Sequence, residues 1–440
     1  VVDVIRGSLA GTQSALVIGP SVAEVEALAT VLAEVFGNRV SLSHSDSSGA
    51  MQTAAWDAAA SVPGTILVGT REVALWPVTG LSLIVVVEDA RRLMRSPSTP
   101  TLGVRDIAVG RSRYGSVPLE VMGPLPTLEL AHRGTDVVAP AGRWWPLVEV
   151  LDRRDEPPSS APLLSSTRAA VAATAGRGGR TFVLVPRRGD AAAFLCMRCG
   201  ALRTCPTCRS AASAGDDCLR CGSSLTPCSD CGFGRFRPVG AGVGTVRDSL
   251  ARALGDAVGL ADDGRPVIVG TERDLIGLEG MDLAVAVDFD GSALAPNYLA
   301  AESTLRLLVR LAHTVRRGRG KRAIIQTSDP SQPVIQALRS GSGAEFLSAE
   351  LEARRSAGFP PIGQLIALEV EIEEEDVDER LRSAVGETAT ILGPAPVGGR
   401  QRWLVQAPDL DEARIALRGF AHRVRDRGGR VRLDVDPIDL

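Results

Sequence analysis

The sequence predicts an α/β protein with three parts. Two tandem lobes are built on parallel sheets, a cysteine-rich metal-binding module is set into the second lobe, and a small α+β domain ends the chain. Three observations carry this. Short apolar segments of strand length alternate with helix-length segments, the pattern of a parallel sheet covered on both faces. One such unit recurs: Ile66-Leu-Val-Gly-Thr70 returns as Val267-Ile-Val-Gly-Thr271. In each copy an apolar strand follows and ends in an acidic residue, Glu88 eighteen residues after Thr70 and Asp288 seventeen after Thr271. Finally, all eight cysteines lie between Cys196 and Cys231.

The first lobe opens on Ala15-Leu-Val-Ile-Gly-Pro20, a buried strand closed by a Gly-Pro turn. Ser21 then caps a helix over 22–36, where alanine, leucine and glutamate recur at helical spacing. Residues 41–44 read as a strand, 51–60 as a helix, and 65–70 as a strand ending in a glycine turn. Residues 83–87 form a strand that delivers Glu88 and Asp89 to its carboxyl end, where parallel sheets hold their ligands. The segment Asp-Glu-Pro-Pro-Ser-Ser-Ala-Pro (155–162) is the clearest linker. These signals place the first lobe at 1–155 and the second at 163–340, with the cysteine module at 194–238 inserted after a strand at 181–185. The remaining residues, 341–440, read as a helix from about 345, then strand 366–372, helix 377–392, strand 402–406, helix 410–425 and strand 430–435. Trp144-Trp145, before the linker, is expected to pack between domains.

The cysteines form four CxxC knuckles: Cys196/Cys199, Cys205/Cys208, Cys218/Cys221 and Cys228/Cys231. A CxxC turn points two thiolates at one ion and tetrahedral Zn²⁺ needs four, so eight thiols make two Cys₄ sites. Four thiolates close a site and leave no position for a catalytic water, so both zincs are structural. A disulfide framework suits short chains without a core, and 440 residues can bury a large one. An iron–sulfur cluster is the other metal reading, but its characteristic cysteine runs are missing. Unliganded thiols would leave a segment too poor in large apolar residues to fold.

Apolar content of 45% with 23% charged residues is that of a globular protein. No apolar run is long enough for a membrane span, no signal peptide is visible, and zinc-binding thiols imply a reducing cytoplasm. The chain begins at Val1 rather than methionine and enters helix-like text at once, as a piece of a longer protein would. Net charge is only −3, but Arg306, Arg310, Arg316, Arg317, Arg319, Lys321 and Arg322 crowd one segment, and such clusters can track phosphate backbones. Lys321 is the chain's single lysine.

This organisation resembles the primosomal protein N′ (PriA) replication-restart helicases of bacteria, in superfamily 2, across essentially the whole chain. The local matches are Val68-Gly-Thr-Arg71, Arg105-Asp-Ile-Ala-Val109, Pro186-Arg-Arg-Gly189, Gly358-Phe-Pro-Pro-Ile-Gly363, Gly393-Pro-Ala-Pro396 and Val435-Asp-Pro437. The resemblance implies two RecA-like lobes. It also implies a zinc connectivity: Cys196, Cys199, Cys228 and Cys231 on one ion, and Cys205, Cys208, Cys218 and Cys221 on the other. Arg71, Arg187, Arg188, Arg316, Arg317, Arg319 and Arg322 become the expected DNA contacts.

The departures from the family fall on its ATPase machinery. Active members carry Asp-Glu-Glu-His after the first-lobe strand, where the Asp holds Mg²⁺ and the Glu positions the attacking water. Here the tetrad reads Val87-Glu88-Asp89-Ala90. The family's Gln-x-x-Gly-Arg-x-Gly-Arg motif, which aims arginine fingers at the γ-phosphate, has become Arg310-Leu-Ala-His-Thr-Val-Arg-Arg317. Thr314 replaces the first finger and only Arg317 remains. The phosphate-cradling loop GxxxxGK[ST] would lie just before residue 1, and no Gly-Lys-Thr occurs in the chain. No Ser/His/Asp or Cys/His nucleophile is visible, so no catalytic residue is expected.

The expectation is therefore a helicase-shaped scaffold in the cytoplasm. It would hold two zinc ions without support for ATP or Mg²⁺, recognise forked or single-stranded DNA, and recruit primosomal and replication proteins. The competing readings are a residual ATP-dependent 3′-5′ DNA helicase and a zinc-ribbon protein–protein adaptor without DNA affinity.

Overall fold

The computed structural model describes residues 1–438 except 99–100, 140–141, 158–160, 187–192, 208, 210–211, 213–214, 219–222, 240–241, 296, 372–375 and 398. The chain divides into two compact units, Val1–Thr135 with Leu351–Leu440, and Asp136–Glu350. Among the described residues no helix is long and apolar enough to cross a membrane.

In the first unit the chain runs α1 (Val2–Ser8), β1 (Ser14–Ile18), α2 (Val22–Phe36), β2 (Val40–Ser43), α3 (Gly49–Ser61), β3 (Ile66–Gly69), β4 (Leu81–Val87), α4 (Val104–Gly115), β5 (Leu119–Met122) and α5 (Leu128–His132). The strands form one parallel sheet in the order β2-β3-β1-β4-β5. Alternation splits its side chains between two cores. Leu16, Ile18, Leu67, Ile84 and Val86 pack with Val73, Val104 and Ala108. On the other face Ala15, Val17, Ile66, Val68, Leu83 and Val85 pack with Ile5, Val25, Ala29 and Leu32. Each fully buried aliphatic side chain contributes about 1.5–3 kcal/mol, so a sheet apolar on both faces must be covered on both. Helix α2 starts where the sequence placed it, because the Ser21 hydroxyl accepts from the Glu24 N–H at 3.4 Å and donates to the Glu24 carboxylate at 2.5 Å. Gly69 is required: a Cβ there would run into the Ser43 carbonyl oxygen and the Val73 side chain.

The second unit contains β6 (Val148–Asp152), α6 (Ser165–Gly176), β7 (Thr181–Leu184), the hairpin β8 (Ala193–Cys196) and β9 (Phe236–Val239), α7 (Val243–Leu254), β10 (Val258–Gly259), β11 (Val267–Gly270), β12 (Leu283–Ala286), α8 (Asp290–Ala293), α9 (Ala300–His313), β13 (Arg322–Thr327) and α10 (Pro333–Ser340). Its sheet is also parallel, in the order β10-β11-β7-β12-β13-β6. Setting β6 aside, this is the strand order of the first lobe, with the repeated Val-Gly-Thr segments on β3 and β11. The acidic residues after β4 and β12 agree too: Glu88 (φ 51) and Asp288 (φ 58) both take the left-handed conformation uncommon for side-chain-bearing residues.

Three expectations need correction. Strand β6 lies before the proline-rich linker yet pairs along its length with β13, so the second lobe begins ahead of residue 155. Trp145 is fully buried and donates its indole N–H to the Leu338 carbonyl at 3.0 Å, with Trp144 edge-on at 6.4 Å. This tryptophan pair therefore anchors α10 inside the second unit rather than packing between domains. The third correction concerns the C-terminal domain. After α11 (Ala344–Ala357), β14 (Gln364–Glu371), α12 (Val377–Val385), β15 (Thr390–Val397), β16 (Arg400–Ala407), α13 (Asp411–Asp426) and β17 (Arg430–Val435) build a four-stranded antiparallel sheet ordered β15-β16-β14-β17. The expected helix over 377–392 stops at Val385, since Gly386 turns the chain at φ 60, and the next residues form the unexpected edge strand β15. Trp403, fully buried under α12 and α13, donates its indole N–H to Asp378.

Candidate functional site

Among the described residues, the cysteine knuckles share one local hydrogen-bonding pattern. The N–H of Cys196, Cys218 and Cys228 each donates to the carbonyl five residues on, those of Ala201, Ser223 and Phe233. The residue after a knuckle's second cysteine donates back to the carbonyl of the first: Gly200 to Cys196, Arg209 to Cys205, and Gly232 to Cys228, at 2.8–2.9 Å. All three of these residues have positive φ, between 58° and 75°, which explains the glycines and identifies Arg209 as the exception tolerated. The β8–β9 hairpin sets Cys196 opposite Phe236 and so brings the first and last knuckles together. The sulfurs of Cys196, Cys199, Cys228 and Cys231 lie within 4.8 Å of one another, with Cys196 to Cys231 and Cys199 to Cys228 each 3.5 Å apart.

This group fits a tetrahedral ion: Zn–S bonds of about 2.3 Å place thiolate sulfurs about 3.8 Å apart. It could hold a metal, and its membership is the outer set that the family resemblance implied. Of the inner set, Cys205 and Cys218 are buried, while Cys208 and Cys221 lie outside the described residues.

Parallel sheets hold ligands at the carboxyl ends of strands where successive connections diverge. In the first lobe β1 leads through α2 to β2 on one side and β4 leads through α4 to β5 on the other, so the crevice lies between β1 and β4. Glu88 and Asp89 stand there, together with Glu24 from the first turn of α2. One nitrogen of Arg91 donates to Glu24 at 3.3 Å and to Glu88 at 3.4 Å. Asp89 accepts from Arg105 at 3.1 Å and from the Thr127 hydroxyl at 3.3 Å, and Arg105 also pairs with Glu129 at 3.2 Å. Burial disfavours the Arg105 charge, but Glu129 and Asp89 more than offset this and hold it well above the ordinary arginine range.

In the second lobe the same reasoning selects β7 and β12. Asp288 pairs with Arg153 at 2.9 Å, and Arg153 also donates to the carbonyls of Pro162 and Ala161. Nearby, buried Asp290 accepts from the Thr327 hydroxyl and the Ser328 N–H, both at 2.6 Å. Burial pushes its carboxyl up to about 6, against those hydrogen bonds and with help from the Asp288 charge. A magnesium–nucleotide does not fit these residues. Val87 offers no side-chain oxygen, Glu24, Glu88, Asp89 and Asp288 are each bound by an arginine, and buried Thr314 donates its hydroxyl to the Leu311 carbonyl of its own helix at 2.8 Å. Ala90 is exposed.

The expected DNA contacts divide in the same way. Arg316 pairs with Asp282, as does Lys321, and Arg322 pairs with Glu149. Arg71 is half-buried, 3.2 Å from Glu72. Arg317 and Arg319 are exposed in the turn between α9 and β13, while Arg187 and Arg188 lie outside the described residues. Sequence reasoning missed Arg91, Arg105 as an ion-pair hub, and Arg153. The partners of Arg153 include Asp288, 135 positions away, and no local pattern announces such a pair.

Residues 355–438 match a family model described as the primosomal protein N C-terminal domain. Over 97% of its length the chain is 25% identical to the replication restart protein PriA of Synechocystis sp., of which it covers 59%. Over most of its length the chain is similar to PriA replication restart proteins. It is 29% identical over 85% of its length to the probable replication restart protein PriA of Mycobacterium leprae, covering 65% of that protein. The chain thus spans about three fifths of the first of these PriA relatives. Among solved structures, RecG bound to a three-way DNA junction is similar at a TM-score of 0.42 and 13% identity, over 78% of this chain and 40% of that one.

Proposed function

We propose that this PriA relative is a DNA-binding replication-restart protein that keeps the fold of a helicase without its motor. The state of the first-lobe crevice carries this reading. The acidic groups that would serve a metal and a water in phosphoryl transfer are bound to Arg91 and Arg105, and Val87 cannot replace the missing aspartate. In the second lobe Thr314, standing where an arginine finger would, is buried and turned onto its own helix, which supports the same conclusion.

Two structural zincs stiffen the cysteine module, the outer one on Cys196, Cys199, Cys228 and Cys231 and the inner one on Cys205, Cys208, Cys218 and Cys221. Exposed Arg317 and Arg319 contact DNA phosphates, with Arg71, Arg187 and Arg188 extending that surface. Arg316, Arg322 and Arg71 each pair with a carboxylate, Asp282, Glu149 and Glu72 respectively, which a DNA phosphate would have to displace. The module is a docking surface for primosomal and replication proteins, in the cytoplasm, and forked or single-stranded DNA is the ligand.

The test is a forked-DNA titration at two salt concentrations. Removing one arginine–phosphate interaction reduces the steepness of log affinity against log salt by roughly 0.7–0.9. Arg317→Ala with Arg319→Ala should therefore reduce it by about 1.4–1.8 and weaken binding to all sequences alike. A full-length protein that binds forked DNA without salt dependence would contradict the reading, and one that does not bind at all would leave the protein–protein adaptor.

A further inference from the structure

We propose that Arg91 is a built-in cation that occupies the first-lobe ligand crevice in place of a divalent metal. The crevice between the carboxyl ends of β1 and β4 is where this sheet would hold a ligand, and its two facing carboxylates, Glu24 and Glu88, share one guanidinium nitrogen at 3.3 and 3.4 Å. All three side chains are largely withdrawn from water, between 15% and 20% exposed. Two carboxylates held together at that depth need a counter-ion, and here the chain supplies it covalently. The fold also fixes each participant. The Ser21 cap orients Glu24, the left-handed backbone at Glu88 turns its side chain off the end of β4, and the Arg91 N–H bonded to the Glu88 carbonyl at 3.0 Å closes the turn that returns the guanidinium.

The second lobe repeats the device with other residues, since Asp288, at the equivalent strand end and in the same backbone conformation, is paired with Arg153. In both lobes an arginine is bound to the acidic residue that follows the second strand of the crevice, β4 in one and β12 in the other, so the arrangement occurs twice. The inference rests on the motorless reading and extends it: Arg91 accounts for why the surviving acidic groups do not recruit a metal.

The experiment titrates Mn²⁺ against the zinc-loaded full-length protein, followed by the loss of the free-ion electron paramagnetic resonance signal. Arg91→Met keeps the apolar stem and removes the charge, and Arg91→Gln serves as a second variant should the first fail to fold. Removing a cation about 4 Å from two carboxylates should tighten Mn²⁺ binding at this site by about tenfold or more, and adding Glu88→Gln should abolish the gain. Lack of any gain in a folded variant, or a wild-type site already lost with Glu88→Gln alone, overturns the proposal. ATP hydrolysis by the wild type would instead overturn the motorless reading, so the two failures are distinct.

Discussion

At the scale of single residues, the chain's chemistry is decided by which charges are satisfied internally. Asp290 shows the consequence for stability. Its carboxyl is raised to about 6 in the fold, above its unfolded value of about 3.9, so the neutral form is the one the fold prefers. That contribution is complete below the unfolded value and is lost as pH rises through about 6. Asn keeps an amide oxygen that can accept from the Ser328 N–H and carries no charge at any pH. Asp290→Asn should therefore gain stability relative to the wild type as pH is raised from about 5 to about 8, measured by thermal melts of both proteins across that range. An unchanged difference would mean that Asp290 titrates normally. Residues of this kind were the least legible in the sequence. Arg91 and Arg153 carry no motif of their own, the motif match at Arg105 says nothing of its ion pairs, and the meaning of all three comes from carboxylates delivered largely by other elements.

At the scale of elements, much was readable, because local physics decides strand and helix starts. The apolar strands, the Ser21-capped helix and the two outer CxxC turns appear where residue pattern placed them. Misreadings came where tertiary pairing overrode local signals, as in β6, whose place is set by β13, and in β15, whose prolines hide an edge strand. The knuckles support a prediction of two zinc ions per chain by elemental analysis. Cys196→Ser or Cys228→Ser should lower the content to one while far-ultraviolet circular dichroism of the lobes persists; loss of both ions together would show a single coupled site. A second prediction concerns β17. Arg95 donates to the Asp436 carbonyl at 2.7 Å and to the Asp434 carboxylate at 3.2 Å, and also to the Val435 carbonyl, fastening this strand to the first lobe. Arg95→Met should remove roughly 1–3 kcal/mol of local stabilisation and raise deuterium uptake over residues 430–436. Unchanged uptake there would show that Arg95 contributes nothing to the attachment.

For the molecule as a whole, the chain joins a duplicated parallel-sheet lobe, an inserted cysteine module and a small antiparallel domain, and the proposal is that the ligand crevice of each lobe is closed from within. The tandem lobes were visible in a repeated Val-Gly-Thr segment, and the matching strand orders and matching left-handed acidic residues give that repeat its structural basis. The central claim is that this frame binds DNA without turning over nucleotide. The most direct test measures ATP hydrolysis by the full-length protein with and without forked DNA, with DNA binding followed in the same samples. Binding without DNA-stimulated hydrolysis is the predicted result. Stimulated hydrolysis that disappears with Glu88→Gln would contradict the account and establish a working motor in the first lobe.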